Sequence, residues 1–306
     1  MLFVTILVVL MVYFCTMSKL QETSSLQSTV VLFHAHCPDG MASAWVAWKK
    51  FGNNATYIPV SDRKTPPEGL TDKVLFIIDF CYPKETLQDL LSTNKNVIVL
   101  DHHVSCADDV TSIPEGQFDK NRSGAGMAWD YFFAGLPRPK LINYIEVGDL
   151  NPHNLPEGEF LSQRIIATPF TVEAYDEIIT QYEVDEESLI SDGKAISLYV
   201  DHLFEIALDD YDMVLFEGYT MPAINIALPL TTKSQLLMRL YTKIPPIAMT
   251  YRYEKGHWKI SLRSDGTVDC SLLAQKYGGG GHRGSAGFIV KASHPLPFVR
   301  EHLDLE

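Results

Sequence analysis

Cysteine is scarce in this chain, and its spacing suggests no pairing. The five residues, Cys15, Cys37, Cys81, Cys106 and Cys270, are odd in number and form no CxxC. That pattern argues against a disulfide framework or a structural zinc site and fits a reducing compartment. Positive charge is also short: 25 Lys and Arg face 38 Asp and Glu, leaving a formal net charge of −13. Proteins that grip long nucleic acid carry a basic stripe, because phosphate contacts dominate their affinity. No long duplex partner is therefore expected. A short phosphate substrate stays compatible with the acidic balance, because bound divalent cations reverse the local field. Low-complexity tracts, coiled-coil heptads and fixed-period repeats are missing as well.

Long apolar runs are missing except for Leu2–Phe14 (LFVTILVVLMVYF). This run falls short of the roughly 20 residues of a full membrane span. No basic residue precedes it, and no small-x-small cleavage site follows. Three readings stay open. If translation starts near Met17 (MSKLQ), the protein is cytoplasmic. If residues 2–14 act as a signal, it is membrane-anchored or exported. In the third reading they are a buried or disordered extension.

The chain has 306 residues, 46% of them hydrophobic, enough for two modest cores. From residue 29 on, apolar strand-like runs alternate with amphipathic ones: Thr29–Ala35, Tyr57–Val60, Lys73–Phe80 and Asn96–Leu100 read as strands. Met41–Phe51, Lys84–Thr93 and Ser123–Phe133 read as helices, and a further helical stretch runs toward Asp149. Continuous apolar strands alternating with helices predict a parallel sheet covered on both faces. Glu186–Leu208 reads as a long helix broken by Gly193. From about residue 212 the texture turns to strands: MVLFEGYTM, AINIALP, a hairpin turning at Lys255-Gly256, then GFIVKA and a short C-terminal helix. The expected architecture is α/β throughout. Residues 1–28 form a leader, 29–185 an N-terminal parallel-sheet domain, 186–211 a helical linker and 212–306 a smaller C-terminal α/β domain.

Acidic and histidine side chains recur just past the apolar strands. After TVVLF come His34, His36, Cys37 and Asp39; after VLFII comes Asp79; after VIVL come Asp101, His102 and His103. Asp149 follows a helical run. Taken alone, each aspartate is most simply a helix cap or turn residue. Parallel sheets, however, place ligand sites at the carboxyl ends of their strands, so these side chains should converge. Carboxylates mixed with imidazoles suit Mn²⁺ or a similar divalent ion. Near the C-terminus, Gly278–Gly281 precede His282 and Arg283. Consecutive glycines let backbone N–H groups approach phosphate oxygens, and Arg pairs with phosphate bidentately. A plain loop is the simpler reading of the glycines alone. No Lys-Ser/Thr follows at the offset a P-loop needs.

The order of these motifs resembles the DHH phosphoesterase superfamily. His34 through Asp39-Gly40 is similar to its first motif, Asp79 to its second and Asp101-His102-His103 to the signature that names it. Asp149 is similar to the fourth acidic position. GGGGH with RGSAGF resembles the glycine-rich motif of the associated substrate-binding domain, and Arg263-Ser264 a phosphate-contacting segment before it. The resemblance spans residues 29–295. It implies that His34, Asp39, Asp79, His102 and Asp149 ligate metal, with Asp79 bridging two ions. It implies that Asp101 orients a histidine and that His103 meets the scissile phosphate or moves a proton. It further implies substrate contacts at Arg122, Ser123, Arg263, Gly280, Gly281, His282 and Arg283, although Ser123 also reads as a helix N-cap.

Many relatives carry two aspartates in the first motif, one residue apart. This chain has only Asp39, with His36 upstream as a substitute. The implied activity is Mn²⁺-dependent hydrolysis of short oligonucleotides or dinucleotides to mononucleotides at two ions, with Mg²⁺ or Co²⁺ as other occupants and a homo-oligomer as an allowed state. The alternatives are a pyrophosphatase or exopolyphosphatase and a catalytically degenerate nucleotide-binding protein.

Overall fold

The structure, a computed structural model, describes residues 29–61, 63–150, 158–207, 210–226 and 246–300. The three readings of residues 1–16 lie outside these. Among the described residues no helix is long and apolar enough to cross a membrane. The chain divides into two compact units, Met1–Ile196 and Ser197–Glu306.

The first unit is built on five parallel strands: β1 (Thr29–His34), β2 (Ala55–Val60), β3 (Val74–Ile78), β4 (Asn96–Asp101) and β5 (Glu115–Phe118). Their order is β2-β1-β3-β4-β5. Side chains alternate across the sheet. Val31, Phe33, Phe76, Ile78, Ile98 and Leu100 join one apolar cluster, and Val30, Leu32, Leu75, Ile77, Val97 and Val99 join another. Because both faces are buried, the central strands read as unbroken apolar runs instead of alternating ones. Strand β5 lacks that signal. It is a short, polar edge strand (EGQF), and the sequence pattern does not reveal it.

Helices α1 (Pro38–Phe51), α4 (Gly124–Phe132), α5 (Lys140–Leu150) and α7 (Val172–Val184) pack on the first face, and α2 (Lys84–Thr93) and α3 (Ala107–Thr111) on the second. The first face also receives α6 (Gly158–Ile166). Trp45 stacks on Trp129 at 6.3 Å between ring centroids, and its indole N–H donates to Asp176. Helix α8 (Glu186–Ala207) corrects one expectation, because it continues unbroken through Gly193. A Cβ at Gly193 would lie 2.0 Å from the Phe160 carbonyl oxygen. Glycine here permits close packing of α6 against α8; it does not end the helix.

The second unit holds a seven-stranded mixed sheet. Its strands are β6 (Asp212–Phe216), β7 (Tyr219–Asn225), β8 (Ile247–Glu254), β9 (His257–Ser264), β10 (Gly280–His282), β11 (Ser285–Lys291) and β12 (Val299–Arg300). The order is β10-β11-β9-β8-β7-β6-β12, and only β7–β8 pair in parallel. Helix α9 (Cys270–Gln275) adds Cys270, Leu273 and Ala274 to its core. Lys255 and Gly256 turn the β8–β9 hairpin with φ of 47° and 83°, the positive values that a two-residue turn of this hand requires. Glu217-Gly218 does the same at 51° and 83°, so the run MVLFEGYTM is two strands instead of one. The expected C-terminal helix is not found in residues 292–300. Pro295 and Pro297 oppose it, and Val299 and Arg300 pair with β6.

Candidate metal centre

Strands β1, β3 and β4 are parallel neighbours, and their register pairs Phe33 with Ile78 and Ile78 with Leu100. The next residue on each strand is therefore His34, Asp79 and Asp101, level along one edge. At Asp79 the backbone takes a left-handed conformation, φ 66°. That costs a non-glycine residue about 1–2 kcal/mol. Gly124 lies against this turn: a Cβ there would sit 2.5 Å from the Asp79 Cβ and 3.1 Å from Asp39 Oδ2.

Asp39 lies in the first turn of α1 and is almost wholly buried. Its two carboxylate oxygens accept the backbone N–H groups of Gly124 (2.6 Å) and Ala125 (3.0 Å), the first residues of α4. A negative group thus meets the positive end of that helix. Burial, then the charges of Asp79 and Asp149, push the Asp39 carboxyl well above the usual carboxylate range.

Asp79 is the crossing point of the cluster. Its Oδ1 is 3.1 Å from His102 Nε2, and its Oδ2 is 3.3 Å from His34 Nδ1. Burial acts to raise its pKa, but the hydrogen bond from His102 and the neighbouring His34 imidazole win and hold it below the ordinary value. His102 Nε2 also lies 3.4 Å from Asp149 Oδ2 and 4.0 Å from Asp39 Oδ2. Three carboxylates therefore surround one imidazole nitrogen. Burial opposes its protonation, yet the Asp79 hydrogen bond and the charges of Asp149, Asp79 and Asp39 lift His102 to about 9. Burial, followed by the charge of Asp79, raises Asp149. Asp101 is fully buried. Its Oδ1 accepts from the backbone of His102 (2.8 Å) and lies 2.7 Å from His103 Nδ1.

These side chains form three groups whose ligand atoms lie within 4.8 Å of one another: Asp79, Asp101, His102 and His103; His34, Cys37 and Asp79; and Asp39, His102 and Asp149. One observation supports a cation. Asp101 Oδ2 is buried and accepts no hydrogen bond, and Asp79 Oδ2, also buried, has no well-aligned donor, with His34 Nδ1 at 3.3 Å. Such oxygens are costly unless a positive partner meets them, and a mixed N/O donor set suits a divalent ion.

The structure thus brings His34, Asp39, Asp79, Asp101, His102, His103 and Asp149 together. His36, offered as a substitute ligand, is exposed at φ 58° and belongs to none of the three groups. Cys37 stands in the cluster instead. Its one visible signal is its place two residues before Asp39. Arg63 is another residue that the sequence does not single out. Its Nη2 lies 2.9 Å from His34 Nε2, and nothing in its loop sequence marks it.

Arg122 and Ser123 are already engaged. Ser123 is fully buried, and its hydroxyl caps α4 by accepting the Gly126 N–H (3.1 Å). Arg122 donates to Glu146 (3.0 Å) and Asp130 (2.6 Å), and Arg138 donates to the same two carboxylates.

In the second unit, Arg263 on β9 is paired in register with Ser285, and β10 carries Gly280, Gly281 and His282 beside β11. The Arg283 Nε donates to the Gly266 carbonyl (2.5 Å), while the side chain stays largely exposed. Most of the glycines are required by the fold. Gly278 has φ +74°, a Cβ on Gly279 would meet the Gly287 oxygen at 2.2 Å, and Gly281 has φ +139°. Gly280 alone among the four has ordinary φ and open space around its Cα. An open groove of about 390 Å³ lies nearby, lined by Arg252, Lys259, Ser261, Gly278, Gly279 and Gly287 among others. Arg252 and Lys259 are register partners across the β8–β9 hairpin, a relation visible only once the strands pair.

Residues 233–305 match the DHHA1 domain family. An uncharacterized protein, R106, of Acanthamoeba polyphaga mimivirus is 28% identical over 305 residues, covering 90% of this chain and 70% of that protein. A solved structure described as the DHH domain of PF0399, a member of the s1p family of ribosomal proteins, aligns with a TM-score of 0.57 at 14% identity. That alignment covers 88% of this chain and 83% of the other. RecJ from Thermus thermophilus in complex with Mn²⁺ aligns at 0.49 and 15% identity, over 89% of this chain and 52% of RecJ.

Proposed function

We propose that this chain is a DHH-superfamily protein, and within that superfamily a metal-dependent phosphoesterase that hydrolyses short oligonucleotides or dinucleotides to mononucleotides. The observation that carries this reading is the buried Asp79 carboxylate between two sets of donors, with one oxygen near His102 and the other near His34. His34 with Asp79, and Asp39 with His102 and Asp149, would hold the cations. Bound there, Mn²⁺, or Mg²⁺ or Co²⁺ in its place, would lower the pKa of water and offset charge on phosphate oxygens.

The remaining work falls to protein groups. Asp101 fixes the tautomer and ring plane of His103 through Nδ1, which leaves Nε2 to meet a phosphate oxygen or pass a proton to the leaving group. Arg63 brings a guanidinium to the same edge and is assigned to the substrate phosphate. In the second unit, Arg263, Gly280, Gly281, His282 and Arg283 are assigned to nucleotide binding, with Gly280 as the position of closest backbone approach. Arg122 and Ser123 are assigned to holding the start of α4, and through it Asp39.

The test is a substrate panel with Mn²⁺: short RNA and DNA, linear and cyclic dinucleotides, and pyrophosphate. Mononucleotide release supports the proposal. Phosphate release from pyrophosphate alone would favour the pyrophosphatase reading. Stoichiometric nucleotide binding without turnover would favour a degenerate binding protein.

A further inference from the structure

We propose that Cys37 is itself a metal ligand, so that one cation position is closed by sulfur, nitrogen and oxygen together. This rests on the metal-centre reading above and deepens it. The Cys37 sulfur, a ring nitrogen of His34 and a carboxylate oxygen of Asp79 lie within 4.8 Å of one another. His34 and Cys37 flank the short turn between β1 and α1, and the fold brings Asp79 to them from the end of β3.

A second observation is independent of the cysteine. Asp79 Oδ2 is buried and has no well-aligned hydrogen bond, its near neighbour being His34 Nδ1 at 3.3 Å. A buried carboxylate oxygen left without a well-aligned donor, beside a thiol and an imidazole, is an environment a cation resolves.

Cys37 occupies the N-cap of α1, where no strong cap hydrogen bond forms, although the Gly40 backbone N–H faces its sulfur and favours a thiolate. It is not disulfide-bonded. By contrast, the Cys81 thiol donates to the Tyr82 carbonyl at 3.1 Å, and Cys270 packs in the core of the second unit.

The consequence is chemical asymmetry. The Asp39, His102 and Asp149 group is made of oxygen and nitrogen only, which suits Mn²⁺ or Mg²⁺. The Cys37 group is softer and should favour Co²⁺ or Zn²⁺ over Mg²⁺. On binding, the thiol proton leaves to solvent and the sulfur–metal bond forms.

The experiment uses the full chain and cobalt chloride alone, in a reductant that is not a thiol. Absorption reads a thiolate-to-cobalt charge-transfer band, and equilibrium dialysis reads bound cobalt. The wild type should bind cobalt and show the band. Cys37→Ser should lose the band and weaken cobalt binding at one position by about tenfold or more. Cys37→Asp should keep metal binding without the band and shift preference toward Mn²⁺ and Mg²⁺. Far-UV circular dichroism checks folding. Should the serine variant fail to fold, cobalt should still protect Cys37 of the wild type from iodoacetamide, as read by peptide mass. Cobalt bound without the band, a band that survives Cys37→Ser, or Cys37 alkylated equally with and without cobalt overturns the assignment while leaving the metal centre standing. No cobalt bound at all overturns both.

Discussion

Asp79→Asn is the sharpest substitution at the scale of single residues. Asparagine tolerates the left-handed backbone that Asp79 adopts at φ 66°, so the turn should survive. The charge shared between two donor sets disappears. We expect hydrolysis to fall to background while the thermal midpoint stays within a few degrees. Turnover near the wild-type rate would refute the central role of that carboxylate. Two glycines give a paired test. At Gly124 a Cβ would press on Asp79 and Asp39, so Gly124→Ala should destabilise by about 1–3 kcal/mol and weaken metal binding. At Gly280 an added Cβ would meet no atom within 4 Å, so Gly280→Ala should leave stability unchanged and raise KM. A urea titration beside steady-state kinetics separates the two, and an unchanged KM would remove Gly280 from the binding surface.

Elements hold the centre in place as much as its residues do. Helix α4 is the main one. Its first N–H groups bind Asp39, its cap is Ser123, and the Arg122–Glu146–Arg138–Asp130 network clamps its start. The sequence allowed Ser123 either as cap or as substrate contact, and the structure engages its hydroxyl as the cap. Ser123→Ala should therefore cost about 1 kcal/mol of stability and move KM by less than about twofold. A large KM change with unaltered stability would return Ser123 to the substrate. The two-residue turns behave in the same local way. Lys255-Gly256 was legible because a Lys-Gly pair between two β-branched, aromatic runs is a hairpin signal. Glu217-Gly218 makes the same turn between MVLF and YTM, runs short enough to read as one strand until their antiparallel pairing is seen.

For the whole molecule the dominant fact is acidity. With a net charge of −13 and a cluster of buried carboxylates, the chain should be stabilised by divalent ions. Mn²⁺ at about a hundred times its Kd should add about 2.7 kcal/mol, read as a rise in thermal midpoint that EDTA reverses. No rise on titration would mean that the cluster binds no ion. Few cationic groups are available for phosphate, so salt dependence should be shallow. Raising salt from about 50 to 200 mM should raise KM for a dinucleotide by less than about tenfold, against the thousandfold or more of a long-duplex binder.

The order of β1 to β4 and of α1, α2 and α4 was readable from the chain, because a sheet buried on both faces writes itself as β-branched runs at β1, β3 and β4. The types of the site residues were readable too, since His34, Asp79 and Asp101 each stand at the end of such a run. Register was not. Only the pairing of Phe33 with Ile78 and of Ile78 with Leu100 sets those three side chains level, and hydrogen bonds between distant strands leave no mark in local composition. The same reason hid Cys37, whose neighbours in space are 3 and 42 positions away in the chain as His34 and Asp79. It also hid the engagement of Arg122 by Glu146 and Asp130. Local propensity and periodicity depend on neighbouring residues and were decided by the sequence; which polar atoms meet depends on packing across the sheet, and only the tertiary structure decides that.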